Sequence, residues 1–150
     1  MRQSFESRLT RASLRFRTIL VAGDPADDGR LILAAGLTYA GYGVRLADTG
    51  DDMLREASAD GVSLVVAEVD LTCADGPCAI EVLKRTPALR HIPVLAYSAP
   101  DRSISEARAL SAGADHFVGD PVHLRGVLDV VATMEHPAGL GAGGAASRGP

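Results

Sequence analysis

Glu68 is the residue of this 150-residue chain whose type and position best suit chemistry. It follows Val62-Ser63-Leu64-Val65-Val66-Ala67, a run that reads as a short buried strand between Asp60-Gly61 and Asp75-Gly76. An acid at the end of such a strand faces the crevice in which open α/β sheets bind ligands. A carboxylate there can accept a phosphoryl group or imitate one that is already bound. Its identity therefore decides between a switch and a fixed surface.

The other reactive residue types offer less. Cys73 and Cys78 are the only cysteines, and no further Cys or His pair stands at zinc-site spacing, so they read as free thiols. His91, His116, His123 and His136 do not cluster in sequence and read as surface or filling residues. Of fifteen basic residues only Lys84 is a lysine, within a helical stretch.

The positioning elements follow from periodicity. Thr18 to Ala22 reads as a strand leading to Gly23-Asp24-Pro25, and Ala26 to Ala40 as a helix with Leu31, Ile32, Ala35 and Tyr39 at helical spacing. Val44 to Ala47 predicts a second strand. Gly50-Asp51-Asp52 opens a helix through Ala59, its acidic first turn suited to the helix dipole. After the Glu68 strand, a helix is expected from Asp75 to Arg85, with Ile80 and Leu83 inward and Pro87 ending it. Pro93 to Tyr97 and His116 to Gly119 read as strands, Asp101 to Ala112 and Val122 to Met134 as helices, the last with Leu124, Val127, Leu128 and Val131 inward. Five strands alternating with five helices imply a doubly wound α/β fold, a parallel sheet covered on both faces.

Composition bounds the rest. Apolar residues make up 47% of the chain and aromatics 4%, with no Trp, which predicts a core of Leu, Val, Ile and Ala. A net charge of -4 gives no footprint for nucleic acid, and no apolar run approaches the ~20 residues of a membrane span. Residues 1–16 are rich in Arg and Ser, with Phe5, Leu9 and Phe16 at helix-like spacing; they read as a flexible extension, with a targeting or docking peptide as the alternative. Residues 137–150 hold five glycines among Ala and Ser and read as a disordered tail. The folded domain is thus expected over residues 17–136.

Five segments together resemble the receiver domain of bacterial two-component response regulators. They are Thr18 to Pro25, Ala40 to Gly50, the Glu68 strand with Asp75-Gly76, His91 to Ala99, and Ala112 to Pro121. The resemblance implies a flavodoxin-like sheet of strand order 2-1-3-4-5 and a cytoplasmic, bacterial signalling protein. It also implies roles residue by residue. Receivers hold Mg²⁺ with two acids after the first strand and with the phosphoacceptor aspartate after the third; here the matching residues are Gly23, Asp24 and Glu68. The receiver lysine before a proline after the fifth strand is matched by Asp120 before Pro121, which inverts the charge. The resemblance makes Ser98 the switch hydroxyl and Phe117 the switch aromatic, with Glu68 able to accept a hydrogen bond from Ser98. It marks Asp120-Pro121 as a position where a cis peptide occurs in the family.

These matches put Asp24, Glu68 and Asp120 at one end of the sheet, with Asp70 as a further acid of the pocket. So many like charges require a retained proton or a cation, hence a weak Mg²⁺ or Ca²⁺ site on Asp24, Glu68 and Asp70, no cofactor being required. The extra methylene of Glu68 moves its carboxylate about 1.5 Å further out, which spoils alignment for transfer and suits a built-in imitation of phosphate. The expected function is that of an atypical, stand-alone receiver, a pseudo-receiver and not an enzyme. It acts without phosphorylation, by contact with a protein partner or with itself through residues 101–134. The alternatives are a phosphorelay receiver that still uses Glu68, a Mg²⁺-dependent phosphotransferase, since Glu68-Val69-Asp70-Leu71-Thr72 resembles the acidic motif of haloacid dehalogenase-type phosphatases, or a remnant whose pocket does nothing.

Overall fold

Strands of three to seven residues, aliphatic in all but the last, each followed by a helical stretch, build the sheet in the computed structural model, which describes residues 18–26, 28–59, 61–98, 106–119 and 123–135. The elements are β1 (Thr18–Ala22), α1 (Asp28–Tyr39), β2 (Gly43–Ala47), α2 (Gly50–Ala57), β3 (Val62–Glu68), α3 (Ala79–Arg85), β4 (Val94–Tyr97), α4 (Glu106–Ser111), β5 (His116–Val118) and α5 (Leu124–Glu135). All strand pairs are parallel and the order is β2-β1-β3-β4-β5, as expected. The expected extension, tail and Asp120-Pro121 bond lie outside the described residues, as do residues 101–105 of the expected docking face.

Alternation along β3 divides the interior into two layers. Val65, Ala67 and Val69 pack with Met53 of α2 and Ile80 and Leu83 of α3. Leu64 and Val66 pack with Leu33 and Leu37 of α1 and Val127 and Val131 of α5. The core is not wholly aliphatic: Tyr97 is the largest fully buried side chain and Tyr42 is buried as well.

One expectation fails locally. The third helix starts at Ala79, not Asp75, because Gly76 sits at φ +108, Thr72 and Cys78 form an antiparallel bridge, and Cys78 is the extended N-cap. The first helix forms as expected; its spaced residues Leu31, Ile32, Ala35 and Tyr39 lie on the outer face, whereas Leu33 and Leu37 face the sheet and Gly36 abuts Leu124 of α5. That helix is apolar on both sides, so spacing alone could not select the buried one.

The edge of the sheet at which the strands begin is tied by paired polar groups. Lys84 Nζ donates to the Ile92 carbonyl at 2.8 Å and meets Asp115 Oδ2 at 3.0 Å. Tyr42 donates its hydroxyl to Glu135 Oε1 at 2.7 Å, and burial, then Glu135, push its ionisation above the ordinary tyrosine range.

Candidate functional site

Glu68 closes β3 and Tyr97 closes β4, and the two are register partners. Glu68 is only 5% exposed, and its Oε1 accepts the Asp24 backbone N–H at 3.1 Å. Asp24 stands exposed at the rim, where its Oδ1 accepts the Ala26 N–H at 2.9 Å in a short side-chain turn. Tyr97 lays its ring across the same spot and donates its hydroxyl to the Ala22 carbonyl at 3.3 Å. A Cβ placed on Gly23 would collide with that hydroxyl and stand 3.3 Å from Glu68 Oε1. The tyrosine thus occupies the space that a first acid would need, and glycine at position 23 is what admits it.

A cleft of about 250 Å³ opens beside this arrangement, lined by Asp24, Asp48, Thr49, Glu68, Asp70, Leu71 and Thr72. Its walls are well fixed. Thr49 caps α2 by accepting the Asp52 N–H at 3.0 Å, and Asp51 of that helix accepts the Ala74 N–H at 2.9 Å. On the β3–α3 loop the Val69 N–H donates to the Tyr97 carbonyl at 2.8 Å, and the Ala79 N–H to the Leu71 carbonyl at 2.9 Å. Burial, then the Asp51 and Asp75 carboxylates, push the Cys73 thiol upward, and both cysteines are free.

Asp24, Glu68 and Asp70 line one cleft. It does not gather them for an ion: among the described residues no three His, Cys, Asp or Glu side chains are placed to hold a metal. The donor set of a receiver Mg²⁺ site is therefore not matched, because Gly23 offers no oxygen and Glu68 Oε1 is turned onto the Asp24 amide. Ser98 corrects a second expectation: its buried hydroxyl donates to the Gly119 carbonyl at 2.6 Å and not to Glu68. It binds the end of β4 to the loop after β5. Phe117 is half-buried against the layer of α2 and α3. Asp120 lies outside the described residues.

Two groups at the cleft escaped sequence reasoning. Asp48 directly follows β2, beside the level at which Glu68 ends β3, a placement that could have marked it. Arg30, a buried guanidinium of α1, is its ion-pair partner and also donates to the Ala47 carbonyl at 3.4 Å. The only lysine stands at the opposite edge, so no ammonium group from the described residues enters the cleft.

A five-stranded parallel sheet of order 2-1-3-4-5 is the flavodoxin-like architecture that receiver domains share. The chain belongs to the response regulator receiver domain family, whose model matches residues 19–132. It is 34% identical to Response regulator PleD of Caulobacter vibrioides over 104 residues, which cover 69% of this chain and 23% of PleD. It spans from 14% to 49% of the curated relatives that it matches. Among solved structures, a response regulator protein from Burkholderia multivorans is 28% identical, with a TM-score of 0.61 over 82% of this chain and 98% of that one. The receiver domain of Saccharomyces cerevisiae Ssk1, solved with the histidine phosphotransfer protein Ypd1, shares the fold at 15% identity, with a TM-score of 0.67 over 81% and 90% of the two chains. Among the described residues no helix is long and apolar enough to cross a membrane.

Proposed function

We propose that this receiver domain signals in the cytoplasm without accepting a phosphoryl group, by contact with a protein partner. One observation carries the reading: Tyr97 and Glu68 fill the space in front of Gly23. A phosphoacceptor must present its oxygen to the donor, in line with the leaving group, and small displacements cost transfer heavily. Glu68 instead holds its Oε1 on the Asp24 amide, 5% exposed. In this reading its carboxyl group stands where transfer would otherwise place a phosphoryl group, so the domain has one signalling posture and no catalytic step. The α4–β5–α5 side is the proposed contact face, since Glu106, Arg108 and Leu110 are exposed there. It is the side that the resemblance to receivers implies, and charged rims of this kind select partners more than they tighten them.

Incubation with acetyl phosphate and Mg²⁺, followed by intact-mass measurement, tests the proposal. No phosphoryl adduct is expected. An adduct on the wild type that Glu68→Gln abolishes would overturn the reading and restore the phosphorelay alternative.

A further inference from the structure

Fourteen consecutive residues without a charge, Leu31 to Val44, lead from α1 into β2, in a chain of which 23% is charged. The solvent side of these two elements is apolar: Tyr39 is 95% exposed, Leu31 48% and Leu46 of the edge strand β2 43%. Ala34, Ala35, Thr38, Tyr39, Val44 and Leu46 line a groove of about 520 Å³ between the helix and that strand. Scattered exposed apolar residues need no account, but a contiguous groove of them does. β2 pairs with β1 alone, so its outer side meets no strand among the described residues.

We propose that a second copy of this chain covers this face, about a two-fold axis that passes beside Ala35. A two-fold interface sets a surface against itself, so the surface must complement its own image. Three observations meet that demand. The first is pattern: Leu31, Ala35 and Tyr39 are exposed on one stripe of α1, four residues apart, in the order large, small, large. Two such helices laid antiparallel about Ala35 bring each Leu31 to the partner's Tyr39, and the small residue on the axis lets them approach closely. The second is charge. Each copy carries a net charge of -4, so two copies repel over most of their surface, and a face without charge is where they can meet. Arg45, the only charge in β2, belongs to the other face of the sheet, where Glu56 of α2 meets it at 3.5 Å. The third is the strand edge: the axis that sets α1 antiparallel to its image does the same for β2, so the two outer edges align for backbone pairing beneath the helices. β5 lies at the opposite edge of the sheet, so the α4–β5–α5 side stays free for the partner contact proposed above.

The test is sedimentation of the full chain across a concentration series. The wild type should form a dimer, and Tyr39→Glu and Leu31→Arg should each weaken it about a hundredfold, since each sets a charge against an apolar residue of the partner. The double variant Leu31→Arg/Tyr39→Glu should regain most of that loss, because each new charge then meets its opposite on the other copy. Within one copy the two positions lie about 12 Å apart along the helix, too far to pair, so the rescue reports contact between copies. Both positions are exposed in the single chain, so an unchanged circular dichroism spectrum separates loss of the dimer from loss of the fold. A wild type that stays monomeric at every concentration would overturn the proposal. So would a dimer that Tyr39→Glu leaves intact, or one that the double variant does not restore.

Discussion

The two edges of the sheet handle charge in opposite ways. Where the strands begin, Lys84 meets Asp115 and the Ile92 carbonyl, and Tyr42 meets Glu135, each donor facing its acceptor. Where the strands end, Asp24, Asp48, Glu68 and Asp70 share one cleft, and Arg30 pairs with Asp48. The first edge reads as fold stability. The second is the edge at which open parallel sheets bind ligands, and here a tyrosine ring and a turned carboxylate stand in it. A shared fold can thus present a different set of side chains at its ligand edge, because fold and site are separately encoded.

The largest expected effect lies in the ring that fills the cleft edge. Tyr97→Ala should lower the unfolding free energy by about 3–5 kcal/mol in a urea titration, as loss of a large buried aromatic side chain does. A loss under about 1 kcal/mol would mean that the ring is not packed as described. Next, Gly23→Asp should destabilise by about 1–3 kcal/mol through overpacking, and Tyr97→Val should relieve most of that cost in the double variant. Strict additivity of the two would break the claimed collision. At the opposite edge, Lys84→Met should cost about 1 kcal/mol, since Asp115 is well exposed and the pair is screened.

The smallest effect is a pH dependence. Tyr42 keeps its proton in the folded state beyond the pH, near 10, at which the unfolded chain releases its own. Above that point the folded state binds more protons, so stability falls as pH rises, while below it the contribution is fully present. Tyr42→Phe should lack this alkaline decline in a melting series; an identical decline would detach it from the Glu135 contact.

The order of elements was legible because each strand is a short aliphatic run and each helix has inward residues at helical spacing. Glu68, Asp24 and Asp70 were legible as cleft residues because strand ends mark the ligand edge. Tyr97 was not, since β4 is buried throughout and no pattern within it tells which strand its ring will meet, here the carbonyl of Ala22 and the bare backbone of Gly23. Ser98 was assigned to Glu68 by resemblance, whereas the Gly119 carbonyl lies nearer in the fold. The stripe of α1 disclosed the helix but not its buried side, because two apolar faces give one periodicity.

Phosphoryl transfer from acetyl phosphate to the wild type, set beside the variant that restores the receiver residues, Gly23→Asp/Glu68→Asp/Tyr97→Val/Asp120→Lys, tests the central claim most directly. A closed cleft predicts an unlabelled wild type and a labelled variant. Label on the wild type that is lost with Glu68→Gln would contradict it.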